Sequence, residues 1–217
     1  MTARVAEREG FAALVLRLRA EGISDIDLLT AVEQTPRSQF VPPEFAGSAY
    51  SSRTLPIPCG SFMEGADMAV RLLDRLKLKP GHRVLEVGTG SGFTAAVMGR
   101  IVERVLSIDR YKTLVNDAQQ RLDALSLRNV IVRQADGSVG LQGEGTFDRI
   151  LVTTAFPAMP RFYVEQLVSG GSMIAPLIAS EDSCRMVRLT RVGSRFERDD
   201  LFEVPYMPIV PKLASIL

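Results

Sequence analysis

A chain of 217 residues, 46% of them hydrophobic, can bury one substantial core without disulfides or a structural metal, so one compact unit with a small N-terminal addition is expected. A net charge of +1 with 24% charged residues leaves no electrostatic footprint for nucleic acid or an anionic membrane, and neither partner is expected. Two distant cysteines, Cys59 and Cys184, with the single His82 cannot supply four ligands alone, so no metal is expected either.

The N-terminal stretch MTARVAEREGFAALVLRLRAEG carries Glu7 and Glu9, and Arg17 and Arg19 interrupt its apolar run. It has no signal-peptide core and nothing later reaches membrane-spanning length, which leads to the expectation of a cytoplasmic protein. Phe11, Leu14, Val15 and Leu18 recur at helical spacing and predict an amphipathic helix ending near Gly22. A second helix is predicted from the Ser24-Asp25 cap to about Gln34, where Thr35-Pro36 stops it. From Pro36 to Gly60 the pattern reads as an ordered loop pinned by Phe40, Phe45, Tyr50 and Leu55.

Beyond that loop, short apolar runs alternate with helical stretches. Five buried strands are predicted at His82 to Gly88, Arg104 to Asp109, Asn129 to Asp136, Phe147 to Ala155 and Gly171 to Leu177. Helices are predicted at Phe93 to Ile101, Tyr111 to Leu125 and Pro160 to Leu167, which together imply an α/β, doubly wound Rossmann-like sheet. The end of the chain reads as two further strands across Gly193-Ser194, running to Val210 and added antiparallel at the sheet edge. The expected division is an N-terminal helical cap and substrate loop at 1–65, then a ligand-binding sheet domain at 66–217, packed as one unit.

The strongest chemical signal is VLEVGTGSGF, a buried strand running into Gly88, Gly90 and Gly92 with a helix directly after. Glycines there allow a tight turn and close approach of a ligand to the backbone. The Gly-x-Gly-x-Gly spacing is tighter than the dinucleotide fingerprint, and the acid Glu86 just before it disfavours phosphate and suits an ammonium group. S-adenosylmethionine fits, having an amino acid end and a ribose but no phosphate. The next strand ends at Asp109, placed to accept hydrogen bonds from ribose hydroxyls, and the third ends in Asp136-Gly137, which places another acid on the same rim to meet the adenine amino group. Taken singly, the glycines could be turn residues, Asp109 a helix cap and Asp136 a turn residue; their joint placement favours a ligand. Phe93, Phe156 and Tyr206 read as packing groups, and His82 as a strand-start residue.

With these residues in place the chain resembles the protein-L-isoaspartate O-methyltransferases. The segments TPRSQFVPPEFAGSAY, LPIPCG, LKLKPGHRVLEVGTGSGFTAAVMGRIVERVLSIDR, NVIVRQADGSVG, FDRILVTTAFPAMPRFYVEQLVSGGSMIAPL and FEVPYMPIV occur in that family's order and spacing. The resemblance implies a cytosolic enzyme that methylates isoaspartyl carboxylates in damaged proteins. It also implies a cofactor set of Glu86, Gly88, Gly90, Asp109 and Asp136, with Thr89, Gly92, Arg110 and Gly137 beside them.

One stretch departs from the family pattern. After LPI, members carry Gly-His-Gly and then Thr-Ile-Ser, whose hydroxyls sit beside the methyl group and the substrate carboxylate. Here the expected substrate loop reads Cys59, Gly60, Ser61, Phe62, Met63, and Glu64 stands at the serine position. Three readings of Glu64 stay open: it faces solvent, it favours a cationic or hydroxyl-bearing acceptor and even acts as a base, or it marks a homologue that binds the cofactor without transferring methyl. An NAD-dependent oxidoreductase is a weaker alternative, because the loop spacing does not suit it.

Overall fold

The computed structural model describes residues 3–181 and 183–214; positions 1–2 and 215–217 of the two expected segments, and Asp182, lie outside the described residues. Helix α1 (Ala3–Ala20) buries Leu14 and Leu18, and α2 (Ile26–Glu33) begins at Asp25, whose carboxylate accepts from the Leu28 N–H at 3.0 Å. The stretch expected as a loop contains two 3-10 turns, Arg37–Phe40 and Pro43–Ser48. Phe40, Tyr50 and Leu55 are buried within it, while Phe45 is half-buried.

The loop then forms a hairpin that the sequence pattern does not predict, β1 (Leu55–Ile57) against β2 (Ser61–Met63). Cys59 and Gly60 take φ of 65° each, the two successive positive values that a type I′ hairpin turn requires. Leu55, Ile57 and Met63 point inward, and their burial fixes the register Leu55↔Met63. Helix α3 (Ala66–Leu76) follows, and Arg17 of α1 clamps Asp67 in its first turn with bonds of 2.7 and 3.0 Å. The same guanidinium donates to the Tyr50 carbonyl at 2.7 Å, so α1, the loop and α3 are held as one body.

The main sheet is built from β3 (Arg83–Val87), β4 (Arg104–Asp109), β5 (Val130–Gln134), β6 (Phe147–Val152), β7 (Leu167–Ser180), β8 (Ser183–Val192) and β9 (Arg195–Val204). Its spatial order is β5-β4-β3-β6-β7-β8-β9, parallel from β5 to β7 and antiparallel for the last two strands. Helices α4 (Phe93–Gly99), α5 (Lys112–Ala124) and α6 (Arg161–Glu165) make the crossovers, and β7 begins at Leu167, where a helix was expected to end. Alternation along the central strands divides the core. Val84, Leu151 and Ile174 pack with α1 to α5, whereas Leu85, Ile150, Val152 and Met173 pack with Tyr163 and Val164 of α6.

The chain moves outward from β3 to β5 and then returns to the other side of β3 as β6. That reversal opens a crevice at the carboxyl ends of the strands, where α/β sheets bind ligands. The final strand stops at Val204 rather than at the expected Val210, because Pro205 and Pro208 remove ladder donors. The chain instead crosses the mouth of the crevice. The Ala155 N–H donates to the Met207 carbonyl and the Ile209 N–H to the Ala155 carbonyl, both at 2.8 Å.

Candidate active site

The crevice is a single cavity with walls from distant parts of the sequence. The glycine loop forms its floor: Gly88, Gly90 and Gly92 have φ of 102°, 52° and 86°, values open to glycine and strained for other residues. A side chain at Gly88 would also place its Cβ 2.3 Å from Thr153 Oγ1, which donates to the Gly88 carbonyl at 3.0 Å. Gly88, Thr89 and Gly90 line the cavity; Gly92 lies behind them at the start of α4, facing Ala118.

Asp109, at the end of β4, is buried against this loop. Its Oδ2 accepts from the Gly90 N–H and its Oδ1 from the Tyr111 N–H, each at 3.0 Å, so the carboxylate is fixed while each oxygen retains a further lone pair. Burial raises its pKa, and the backbone donors oppose that shift. Arg110 lines the rim, stacked over Tyr111 and donating to the Lys212 carbonyl at 3.1 Å. Val87, Ile108, Ala135 and Tyr111 supply an apolar wall, with Gly137 beside it.

Asp136 and Glu86 are placed differently from the cofactor contacts expected of them. Asp136 turns away from the cavity, its oxygens accepting from the Ser138 and Lys212 N–H groups at 2.8 and 2.7 Å. Glu86 points from β3 into the core beneath α4. Thr94 Oγ1 and Ser107 Oγ, the latter from its register partner on β4, each donate to it at 2.5 Å. It supports the loop from below and does not reach the cavity wall.

Burial pushes the Glu86 carboxyl up to about 8 from 4.5, against the pull of the two hydroxyls. The folded protein therefore keeps a proton that the unfolded chain releases above 4.5, and this contribution to stability is lost as pH rises through about 8. The slope is at most about 1.4 kcal/mol per pH unit between those values. Glu86→Gln is expected to flatten it, so urea midpoints of the variant should gain on the native protein as pH rises from 5 to 8; parallel curves would refute the buried proton.

The opposite wall comes from the hairpin and the C-terminal crossing. Ser61, Phe62, Met63 and Glu64 line it together with Tyr206 to Val210, whereas Cys59 and Gly60 sit outside it at the hairpin turn. Glu64 points inward, which excludes the solvent-facing reading. Its Oε1 accepts from the Tyr206 hydroxyl at 2.6 Å, and its backbone carbonyl accepts from Arg37. Tyr206 is buried, and burial with the adjacent Glu64 raises its pKa well above the usual phenol value. It is more than packing: its ring stacks on Phe62, with centroids 6.4 Å apart, and its hydroxyl fixes the acid. Phe93 also lines the cavity and packs under Arg37, while Phe156 belongs to the core on the other face.

Tyr206 and Arg37 are the residues that sequence reasoning missed. For Tyr206 the signal was available, since two prolines in VPYMPIV argue against a continuing strand. For Arg37 no local signal existed.

The donor set suits S-adenosylmethionine. Close-approach glycines, a fixed carboxylate and an apolar wall match its amino acid end, ribose and adenine, and two acids, Glu64 and Asp109, against the single cation Arg110 among the cavity-lining residues disfavour phosphates.

Comparison with known proteins points to one family. A family model described as protein-L-isoaspartate(D-aspartate) O-methyltransferase matches residues 9–214. A protein-L-isoaspartate O-methyltransferase of Rhizobium meliloti is 63% identical over 204 residues, covering 94% of this chain and 100% of the relative. One from Azorhizobium caulinodans is 41% identical over 217 residues, covering 100% of both chains. Among solved structures, a Plasmodium falciparum protein-L-isoaspartate O-methyltransferase in complex with S-adenosyl-L-homocysteine superimposes with a TM-score of 0.80 at 23% identity, covering 91% of this chain and 97% of that one.

Proposed function

Because the chain belongs to the protein-L-isoaspartate(D-aspartate) O-methyltransferase family, we propose that it transfers the methyl group of S-adenosylmethionine to the free carboxylate of isoaspartyl residues in peptides and proteins. The observation that carries this reading is one cavity shared by the glycine loop and Asp109 on one side and the hairpin and Tyr206 on the other. When bound, the cofactor supplies a methyl group on a sulfonium, an electrophile that a carboxylate attacks without a base. Asp109 is suited to hold the ribose through its spare lone pairs, and the Gly88–Gly90 backbone to hold the amino acid end. Ile108, Ala135 and Tyr111 form the apolar seat for the base. Phe62, Tyr206 and the crossing at Met207 to Ile209 exclude water and orient the acceptor, so positioning and desolvation supply most of the acceleration. Ser61 brings a hydroxyl to the acceptor wall, in a loop without the family's Thr-Ile-Ser. The work is assigned to the cytoplasm, where the two free thiols, Cys59 and Cys184, stay reduced.

The test is transfer of labelled methyl to an isoaspartyl peptide, with the normal aspartyl peptide as control. Isoaspartyl-selective, base-labile label is expected, and its absence from folded, cofactor-bound protein would sink the acceptor assignment. The inward Glu64 favours a second reading, transfer to a hydroxyl or cationic acceptor, and label appearing only on such acceptors would establish it. Asp109→Ala is expected to weaken cofactor binding about tenfold or more through lost charge-assisted hydrogen bonds. Unchanged affinity by calorimetry would remove Asp109 from the site.

A further inference from the structure

Glu64 is restrained at both ends. Tyr206 holds its carboxylate at 2.6 Å and Arg37 holds its backbone carbonyl, so the charge stays within the cavity wall. That charge is offset only in part, by Arg37 from behind the wall. Arg110, at the rim, is turned to the Lys212 carbonyl and the Tyr111 ring. Arg37 lies outside the cavity lining, its guanidinium 4.4 Å from the centroid of the Phe93 ring, and partly counters Glu64 from there. Tyr206 gives a neutral dipole, and Asp109 adds a second acid across the cavity.

S-adenosylmethionine and S-adenosylhomocysteine share the adenine, the ribose and the amino acid. They differ by one methyl group and one positive charge, so contacts common to both cancel when their affinities are compared. What remains is the field of the cavity, and a carboxylate fixed in its wall acts on that difference across the space the ligand occupies.

We infer that Glu64 sets the cofactor specificity of this site, selecting the cationic methyl donor over its neutral product. The inference rests on the cofactor reading above and is independent of which acceptor is methylated. It gives the acid at this position a function even where it hinders a carboxylate acceptor: loss of the positive charge on transfer weakens the hold on the product and favours its release.

The test is calorimetry at low ionic strength with each ligand, on the native protein, Glu64→Gln and Tyr206→Phe. Glu64→Gln keeps the side-chain shape and removes the charge. The ratio of the S-adenosylhomocysteine Kd to the S-adenosylmethionine Kd is expected to fall about tenfold or more in this variant, with S-adenosylhomocysteine affinity unchanged or improved. Tyr206→Phe frees the carboxylate while keeping its charge, and should lower the ratio by a smaller factor. An unchanged ratio in Glu64→Gln overturns this inference alone. Binding of neither ligand by folded native protein overturns the cofactor reading and this inference with it. Binding with the expected ratios but no isoaspartyl transfer supports the inference and overturns only the acceptor assignment.

Discussion

Arg37→Ala is expected to destabilise the protein by about 3–5 kcal/mol, the combined cost of orphaning buried hydrogen-bond partners and emptying its volume. Arg37 is fully buried in the first 3-10 turn after α2. Its Nε donates to the Ala49 carbonyl at 2.8 Å, another guanidinium nitrogen donates to the Glu64 carbonyl, and its backbone N–H donates to the Tyr50 hydroxyl at 3.2 Å. Burial pulls the guanidinium down to about 10 while Glu64 opposes that shift, so the group stays charged at neutral pH. Alanine would strip two carbonyls of their donor, at about 1–3 kcal/mol for each left unsatisfied, and leave a void over Phe93. Relief of desolvation offsets part of this, because Arg37 Nη1 is buried without a partner. Arg37→Met fills the volume without the donors and should recover about 1–2 kcal/mol of the loss. Urea unfolding measures both, and a loss below about 1 kcal/mol for alanine would show that the loop is held by its apolar contacts alone.

The contrast between Arg37 and Asp109 shows which parts of the site were legible in the sequence. Parallel strands covered on both faces are near-continuously apolar, so HRVLEVG and RVLSID are visible as strands, and whatever follows them lies on the carboxyl edge. The glycine loop and Asp109 inherit their place from that rule. The hairpin has strands of three residues, too short for alternation to show, and its positive-φ turn is carried by a cysteine as well as a glycine. Glu86 was placed correctly at the end of a strand, but its direction was not legible. A period of two puts it on the same face as Val84, beneath α4, and the hydroxyls that receive it lie eight and twenty-one positions away in the chain. Arg37 is the extreme case. An arginine between a proline and a serine reads as exposed, and only tertiary packing brings Ala49 and Glu64 to it.

Glu64→Ser is expected to raise kcat/KM for an isoaspartyl peptide by roughly 30- to 100-fold, measured at saturating S-adenosylmethionine. The acceptor brings a carboxylate into a cavity whose wall already holds one. Two such charges repel by about 4 kcal/mol at 4 Å with an effective dielectric of 20, and the Tyr206 hydroxyl and Arg37 cancel part of this. Serine removes the repulsion, supplies a hydroxyl donor and leaves Tyr206 free to give a second hydrogen bond to the acceptor. Saturating cofactor is needed because the same substitution discards the attraction for the sulfonium, so the gain belongs in the peptide term and a loss in the cofactor KM. An increase confined to isoaspartyl peptides, with aspartyl controls still inactive, would identify Glu64 as a brake on carboxylate transfer. A fall in rate would carry the opposite meaning. Glu64 would then be aiding the isoaspartyl reaction, and its repulsion would not govern the rate; only a native protein inactive on isoaspartyl peptides and active on a hydroxyl or amine would make such transfer the reaction that this wall is built for.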